Sequence, residues 1–243
     1  MYQYIEYIKQ EGIAHLVFNR PESRNAINQE MRQEIVEALQ DARLDTKVAV
    51  LLISANGKSF CAGRDMKEVG KNKEATMAEV YEDYALGKEF LDQFQIFPKP
   101  IIAAVNGHAL GYGTSIVSYC DLVLAGRSAT FGYPEIRNNI VPSTAAVKSA
   151  EVIGKRKFAE MVLLGNHYGA EEAKEMGLIN DITEDEDLLE RALSWARQLA
   201  QNDPMTNEMC RQFLRSLDLP GYNERALGAI GILGMGFINK NKR

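Results

Sequence analysis

The side chains and amides able to do chemistry gather between Asn106 and Glu135, where the chain reads N-G-H-A-L-G-Y-G-T-S and then F-G-Y-P-E. Glu135 is an ionisable acid just after an aromatic-Gly-aromatic-Pro turn. Upstream, the apolar run Ile101–Val105 reads as a buried strand and empties into the turn signal Asn106-Gly107. Gly111 and Gly113 then bracket the start of a second apolar stretch, Thr114 to Cys120, read as a short buried helix. Glycines at such a junction let backbone turn tightly and approach a ligand. The first amides of a helix lack internal partners and sit at the positive end of its dipole, so they suit a negative oxygen. A second small-residue loop, Lys58 to Lys67, follows another apolar run, Val48 to Ser54. Two such loops can supply the two N–H donors of an oxyanion site for acyl chemistry, with Glu135 as the acid/base facing them.

Those loops need elements to hold them. Residues 3–8 and 13–19 read as a hairpin turning at Glu11-Gly12, and Asn19-Arg20-Pro21 ends its second strand. From Asn28 onward Met31, Ile35, Ala38, Leu39 and Ala42 repeat along one helical face. Residues 48–54 are the next strand. A polar stretch, Lys71 to Ala75, where mobility is expected, leads into the capping box Thr76-Met77-Ala78-Glu79. The helix after it is expected to bury Val80, Tyr84, Gly87, Leu91 and Phe94 and to stop before Pro98. Beyond Glu135 the pattern is mostly helical, at 144–153, 155–164 with a stop at Gly165-Asn166, 170–176, 187–201 and 204–217. Thr183 and Glu186 form a second capping box, Pro204 suits a first helical position, and Leu188, Ala192, Trp195, Ala196 and Leu199 share a face. From Gly221 to Phe237 the chain is rich in glycine, each costing about 1 kcal/mol against alanine in a helix. That end is expected to fray or to fold only in an oligomer.

With 243 residues, 46% of them hydrophobic, the chain can bury a full core in one main domain plus an appendage. The net charge of −5 is spread without a basic stripe, which argues against a nucleic-acid partner. Cys61, Cys120 and Cys210 are odd in number and lie in apolar contexts, as reduced thiols of a cytoplasmic protein do. No run approaches the ~18 apolar residues of a membrane span, and the first residues lack the pattern of a secretion signal. His15, His108 and His167 read as structural. No Ser-His-Asp triad and no metal-ligand spacing is visible.

The motifs themselves resemble one family. F-C-A-G-R-D-M-K, residues 60–67, is similar to the F-x-A-G-x-D-[IL] motif of the enoyl-CoA hydratase/isomerase, or crotonase, family. N-G-H-A-L-G-Y-G and F-G-Y-P-E-I match its next two motifs, and F-N-R-P-E-S-R-N-A-I-N matches its N-terminal one. The similarity runs from about Ile5 to Leu199. It implies an α/β fold, a crotonase-like spiral of strand-strand-helix units, with C-terminal helices that assemble trimers or pairs of trimers. On that reading residues 1–186 are the catalytic core and 187–243 a C-terminal helical oligomerisation region. The resemblance also implies an acyl-CoA substrate, coenzyme A being part of it, with no further cofactor and no metal. The oxyanion amides would be those of Arg64 and Tyr112, each contributing roughly 3 kcal/mol. Arg24, Ala62, Asp65, Met66, Lys67 and Gly111 would bind substrate, with Lys67 and Arg24 near the CoA phosphates and Asp65 ordering its loop. Lys240, Lys242 and Arg243 could reach a neighbour's ligand, but the family's K-R-x-P-x-F ending is missing.

One position departs from the family's hydratase pattern. Hydratases of this family carry two glutamates, one in the G-G-G-x-E segment and one in the P-E-I segment; here Thr114-Ser115 replaces the first and Glu135 alone remains. A hydroxyl can hold a water but cannot take its proton near neutral pH. One carboxylate suffices to remove a proton at C2 of a 3-enoyl thioester and return it at C4, and family isomerases often show this single-glutamate pattern. Ser143-Thr144 offers no substitute acid. Three readings stand: an isomerase using Glu135, a hydratase using Glu135 and a water held by Ser115, and a family member that binds acyl-CoA or a protein partner without turnover.

Overall fold

Ile101–Val105 is buried at each position and Val50–Ala55 at all but its last, because both faces of their sheet are covered. Alternate residues serve different layers. Val50 and Leu52 join Ile13, Ile102, Ala104 and Leu124 in a cluster under Leu188, Ala192 and Ala196. Leu51 and Ile53 face the larger core with Leu16, Phe18, Met31, Ile35, Phe60 and Phe94. The computed structural model describes residues 2–69, 76–142 and 146–218, with positions 221, 224, 225, 228, 231 and 232. The polar stretch 71–75, the Ser143-Thr144 pair, most of the glycine-rich tail and the final basic residues lie outside the described residues.

In chain order the elements are β1 (Ile5–Gln10), β2 (Ile13–Phe18), α1 (Gln29–Leu44), β3 (Val50–Ala55), the single turn α2 (Met66–Val69), α3 (Met77–Ile96), β4 (Ile101–Val105), β5 (His108–Leu110) and α4 (Tyr112–Tyr119). There follow β6 (Leu122–Gly126), β7 (Thr130–Gly132), α5 (Val147–Ile153), α6 (Lys155–Leu164), β8 (Tyr168–Gly169), α7 (Ala170–Glu175), β9 (Asp181–Thr183), α8 (Leu188–Ala200) and α9 (Pro204–Ser216). The main sheet has six strands in the order β1-β2-β3-β4-β6-β9, parallel but for the antiparallel hairpin β1-β2. A second sheet of three strands, β5-β7-β8, stands beside it. Repeated strand-strand-helix units give the α/β architecture anticipated from the motifs.

Local signals explain most boundaries. Glu11 and Gly12 both take positive φ in the hairpin turn. Asn28 caps α1 by accepting from the Met31 amide at 2.9 Å, and Met31, Ile35, Ala38, Leu39 and Ala42 are its buried residues. Thr76 and Glu79 form the expected capping box of α3. Asp203 caps α9, with Pro204 in the first turn.

Several expectations need correction. On α3 the buried stripe is Gly87, Phe90, Leu91 and Phe94. Val80 is exposed and Tyr84 half-buried, because the first turns of this helix extend past the core. Thr183 does not cap a helix with Glu186. It ends β9, held extended by pairing opposite Gly126 and by accepting from the Arg127 amide, and a 3-10 turn at Asp185–Asp187 starts α8 instead. Cys210 is exposed rather than set in an apolar context, while Cys61 is buried and Cys120 half-buried. Strands β5 to β9 were not anticipated, except as apolar letters around the motifs.

Candidate active site

Two loops after adjacent parallel strands are stitched directly together. The Cys61 amide donates to His108 O and the Leu110 amide to Cys61 O, both at 2.9 Å. Ser59 and Gly107 form a further bridge. On its other edge the first loop pairs with Ile27: the Ile27 amide donates to Gly63 O at 2.8 Å and the Asp65 amide to Ile27 O at 2.9 Å. Pairing on that side uses the residues flanking Arg64, so the Arg64 N–H faces the opposite way and takes no backbone partner among the described residues. Tyr112 is the first residue of α4, and its N–H is likewise unpaired.

Both residues line one cavity of about 160 Å³. Ala62, Gly63, Arg64 and Met66 line one side, Gly111 and Tyr112 another, and Glu135 a third. The approach is tight because glycine makes it so. Gly111 takes φ 53° and ψ −115°, and a methyl group built on it would lie 2.7 Å from Glu135 Oε1. A methyl on Gly113 would meet Cys61 O at 2.4 Å, so the two loops could not close with a side chain there.

Glu135 sits in the 3-10 turn Pro134–Asn138, where Pro134 fixes the first position and Asn139, with φ 58°, ends it. Its Oε2 is buried and has no hydrogen-bond partner among the described residues. Burial pushes the carboxyl above its ordinary value, against a smaller downward pull from its own backbone amide. Among the described lining residues it is the one carboxylate.

The other residues singled out from sequence fall into two groups. Arg64 lines the cavity while its guanidinium makes a two-pronged pair with Asp83 of α3, Nη1 donating at 2.6 Å and Nη2 donating to Oδ1. Asp65 is buried behind the loop, accepting from the Lys67 amide at 2.9 Å and from Arg20 Nη1 at 2.7 Å, and does not line the cavity. Lys67 is exposed on α2, and Arg24 is exposed in a left-handed conformation with its carbonyl accepting from the Ala62 amide at 3.0 Å. Neither reaches the cavity lining. Ser115 is fully buried and also off the lining, with Oγ bonded to Gly111 O and Tyr133 Oη. A water held by Ser115 inside the cavity is therefore not what this geometry offers.

Sequence reasoning missed Tyr84, Asn138, Ile140, Val141 and Pro142, which with Pro134 complete the lining. Tyr84 carried a signal as a helical residue near the motif, but was assigned to the core. The segment after the P-E-I motif carried none. None of the histidines lines the cavity: His15 bonds Ser54 Oγ at 2.8 Å, His108 bonds Thr130 Oγ1 at 2.7 Å, and His167 lies with its ring 6.3 Å from that of His108. Among the described residues no group of His, Cys, Asp and Glu could hold a metal, and no helix is long and apolar enough to cross a membrane.

Known proteins of one family resemble this chain. The profile of the family described as enoyl-CoA hydratase/isomerase matches residues 8–224. A 2,3-dehydroadipyl-CoA hydratase of Escherichia coli is 35% identical over 209 residues, covering 85% of this chain and 80% of that protein. An enoyl-CoA isomerase/hydratase of Mycosarcoma maydis is 32% identical, covering 80% and 73%. The crystal structure of an enoyl-CoA hydratase/isomerase from Cupriavidus metallidurans superposes with a TM-score of 0.92 at 25% identity, covering 98% of this chain and 89% of that one. The chain belongs to the enoyl-CoA hydratase/isomerase family, and it is an enzyme of the isomerase or lyase class.

Proposed function

We propose that this protein isomerises 3-enoyl-CoA to 2-enoyl-CoA. The observation that carries the reading is a cavity lined by one carboxylate, Glu135, with an unpartnered buried oxygen, and by the two residues whose amides are unpaired, with a serine enclosed where a hydratase would keep its second glutamate. The thioester oxygen lies between the Arg64 and Tyr112 N–H groups. Glu135 takes a proton from C2, and the electron pair spreads through the carbonyl into a dienolate whose oxygen these amides hold. The same carboxyl then returns the proton at C4 while the double bond settles between C2 and C3. Atoms and charge balance without water. Raised basicity in the buried carboxylate narrows the gap to a carbon acid. Lys67 and Arg24, exposed beside the loop, serve the CoA phosphates, and Asp65 keeps that loop in shape. The competing hydratase reading rests on the names of relatives, and needs a water activated by Glu135 alone.

Assembly and location belong to the same proposal. Residues 1–186 act as the catalytic unit and 187–243 as the region through which a trimer or hexamer forms in the cytoplasm. The inner face of α8 is occupied by the sheet, while α9 exposes Met205, Phe213 and Leu214, and Leu217 just after it is exposed as well.

Absorbance of the conjugated enoyl thioester tests the reaction: it should grow with a 3-enoyl substrate, whereas loss with a 2-enoyl substrate would favour hydration. Glu135→Gln should keep binding and lower turnover by roughly 10² to 10⁴-fold. Proton exchange at C2 in deuterated water that persists undiminished in this variant would mean that another group is the base.

A further inference from the structure

Four hydroxyls form an enclosed chain under the cavity. Ser115 Oγ lies 3.0 Å from Gly111 O and 3.0 Å from Tyr133 Oη; Tyr133 Oη lies 2.7 Å from Ser149 Oγ, Ser149 Oγ 2.6 Å from Ser118 Oγ, and Ser118 Oγ 3.0 Å from Thr114 O. All four side chains are buried. Each hydroxyl brings one proton. The contacts just named are five and the protons four, so one contact always lacks a proton. A gap in the middle would set two oxygens lone pair to lone pair. The cheaper arrangements run all protons one way and leave an end carbonyl without its hydroxyl donor. Gly111 O tolerates this because it also accepts from the Ser115 amide at 2.9 Å. The chain thus has two orientations, one ending with Ser115 donating to Gly111 O, the other with Ser118 donating to Thr114 O. Burial raises the Tyr133 phenol, which keeps its proton in the chain.

Gly111 C=O and Tyr112 N–H are the two ends of a single peptide group. A hydroxyl proton on that oxygen draws electron density from the nitrogen and makes the N–H a stronger donor. We propose that Ser115 is a positioning residue that strengthens the Tyr112 oxyanion amide through its own peptide bond, and that Tyr133 and Ser149 set which way the Ser115 proton points. The proposal rests on the oxyanion role given above to Tyr112. It also gives serine at position 115 a use that an ionised carboxylate lacks, since a carboxylate accepts and cannot donate.

Proton counting supplies an uncommon test. Without the Ser149 hydroxyl, three contacts remain for three protons: Ser118 must donate to Thr114 O, Tyr133 to Ser115, and Ser115 to Gly111 O. Ser149→Ala should therefore lock the chain toward Gly111, while Ser115→Ala removes the donor. The readout is the infrared stretch of butanoyl-CoA carrying carbon-13 at its thioester carbonyl, bound to each variant. Binding to the wild-type protein should lower this frequency. Ser115→Ala should move it back toward the free value and lower kcat roughly 2- to 5-fold with little change in KM. Ser149→Ala should keep the lowered frequency or deepen it. A merely structural role for the cluster would move both variants back together, and that result, or an unchanged band in Ser115→Ala, overturns the proposal. No lowering in the wild-type complex would instead overturn the oxyanion assignment itself. Should Ser115→Ala not fold, Ser149→Ala decides alone: a retained or deepened shift supports the mechanism, and a return toward the free value rejects it.

Discussion

Glu135 joins two properties that pull against each other. Burial of its carboxyl suits proton abstraction but disfavours the charged form on which abstraction depends. Its folded-state value is raised above the ordinary 4.5, so between the two values the folded protein binds more protons than the unfolded chain. Stability tied to this group is present at low pH and is lost as pH rises through the folded value. Glu135→Gln should then melt above wild type, with the difference near zero at or below the ordinary glutamate range and growing to a plateau as pH rises. Thermal melts across that range check it, and equal melting at neutral pH would contradict the burial argument. For the same reason the acid limb of kcat/KM should lie above the range of an ordinary glutamate. Lys67 offers the contrasting case. If it supplies uniform binding to CoA phosphates, Lys67→Ala raises KM more than it lowers kcat, and unchanged KM for acyl-CoA would remove that role.

At the scale of elements, α9 is fastened by one buried guanidinium. Arg211 is 3% exposed; its Nε donates to Asp121 at 2.6 Å and its Nη2 to Phe94 O and Tyr119 O, gripping the ends of α3 and α4. Asp121 also accepts from the Ile101 amide at the start of β4. Arg211→Ala leaves that carboxylate without its partner and should cost about 3–5 kcal/mol, lowering Tm by roughly 6–20 °C. A calorimetric shift of a degree or two would show that α9 is held mainly by apolar contact. None of this could be read from the sequence, where Arg211 is one basic residue on a polar helix. What was legible followed short-range chemistry: the caps Asn28, Thr76 and Pro204, the hairpin at Glu11-Gly12, and runs such as Ile101–Val105. The two loops were legible too, because their glycines and the apolar runs before them are short-range signals, whereas the assignment of the amides to Arg64 and Tyr112 came from the family resemblance. Contacts made through tertiary packing were not. Tyr84 lines the cavity and Ser115 is sealed from it, and both facts depend on how α3 and the Tyr133 ring lie across the α4 start.

At the scale of the whole molecule, exposed apolar side chains occur on several elements, among them Met77, Val80, Tyr81, Leu86 and Ile96 of α3, Leu189 of α8, and Met205, Phe213 and Leu214 of α9 with Leu217 just after it. Isolated apolar residues on a surface are ordinary, but a run of them along one element marks a contact face. The assembly we propose should give a trimer or hexamer by light scattering at micromolar concentration, and a monomer alone would refute it. Charging that face, for example with Phe213→Glu and Leu214→Lys together, should shift the population toward smaller species while leaving the melting profile of the isolated fold recognisable.

The enclosure of position 115 bears on how a lineage could exchange one reaction for another. A glutamate side chain has three more heavy atoms than that of serine, and here it would enter a site with no exposed surface and a phenol oxygen already at 3.0 Å. Ser115→Glu arriving first must displace the Tyr133 ring or bury an unpaired charge, and either course destabilises the protein. Trimming Tyr133 first opens a void that the longer acid can later fill. The second carboxylate is thus reachable along one order of substitutions and obstructed along the other, so descent of the activity is governed by a buried neighbour that never meets the substrate.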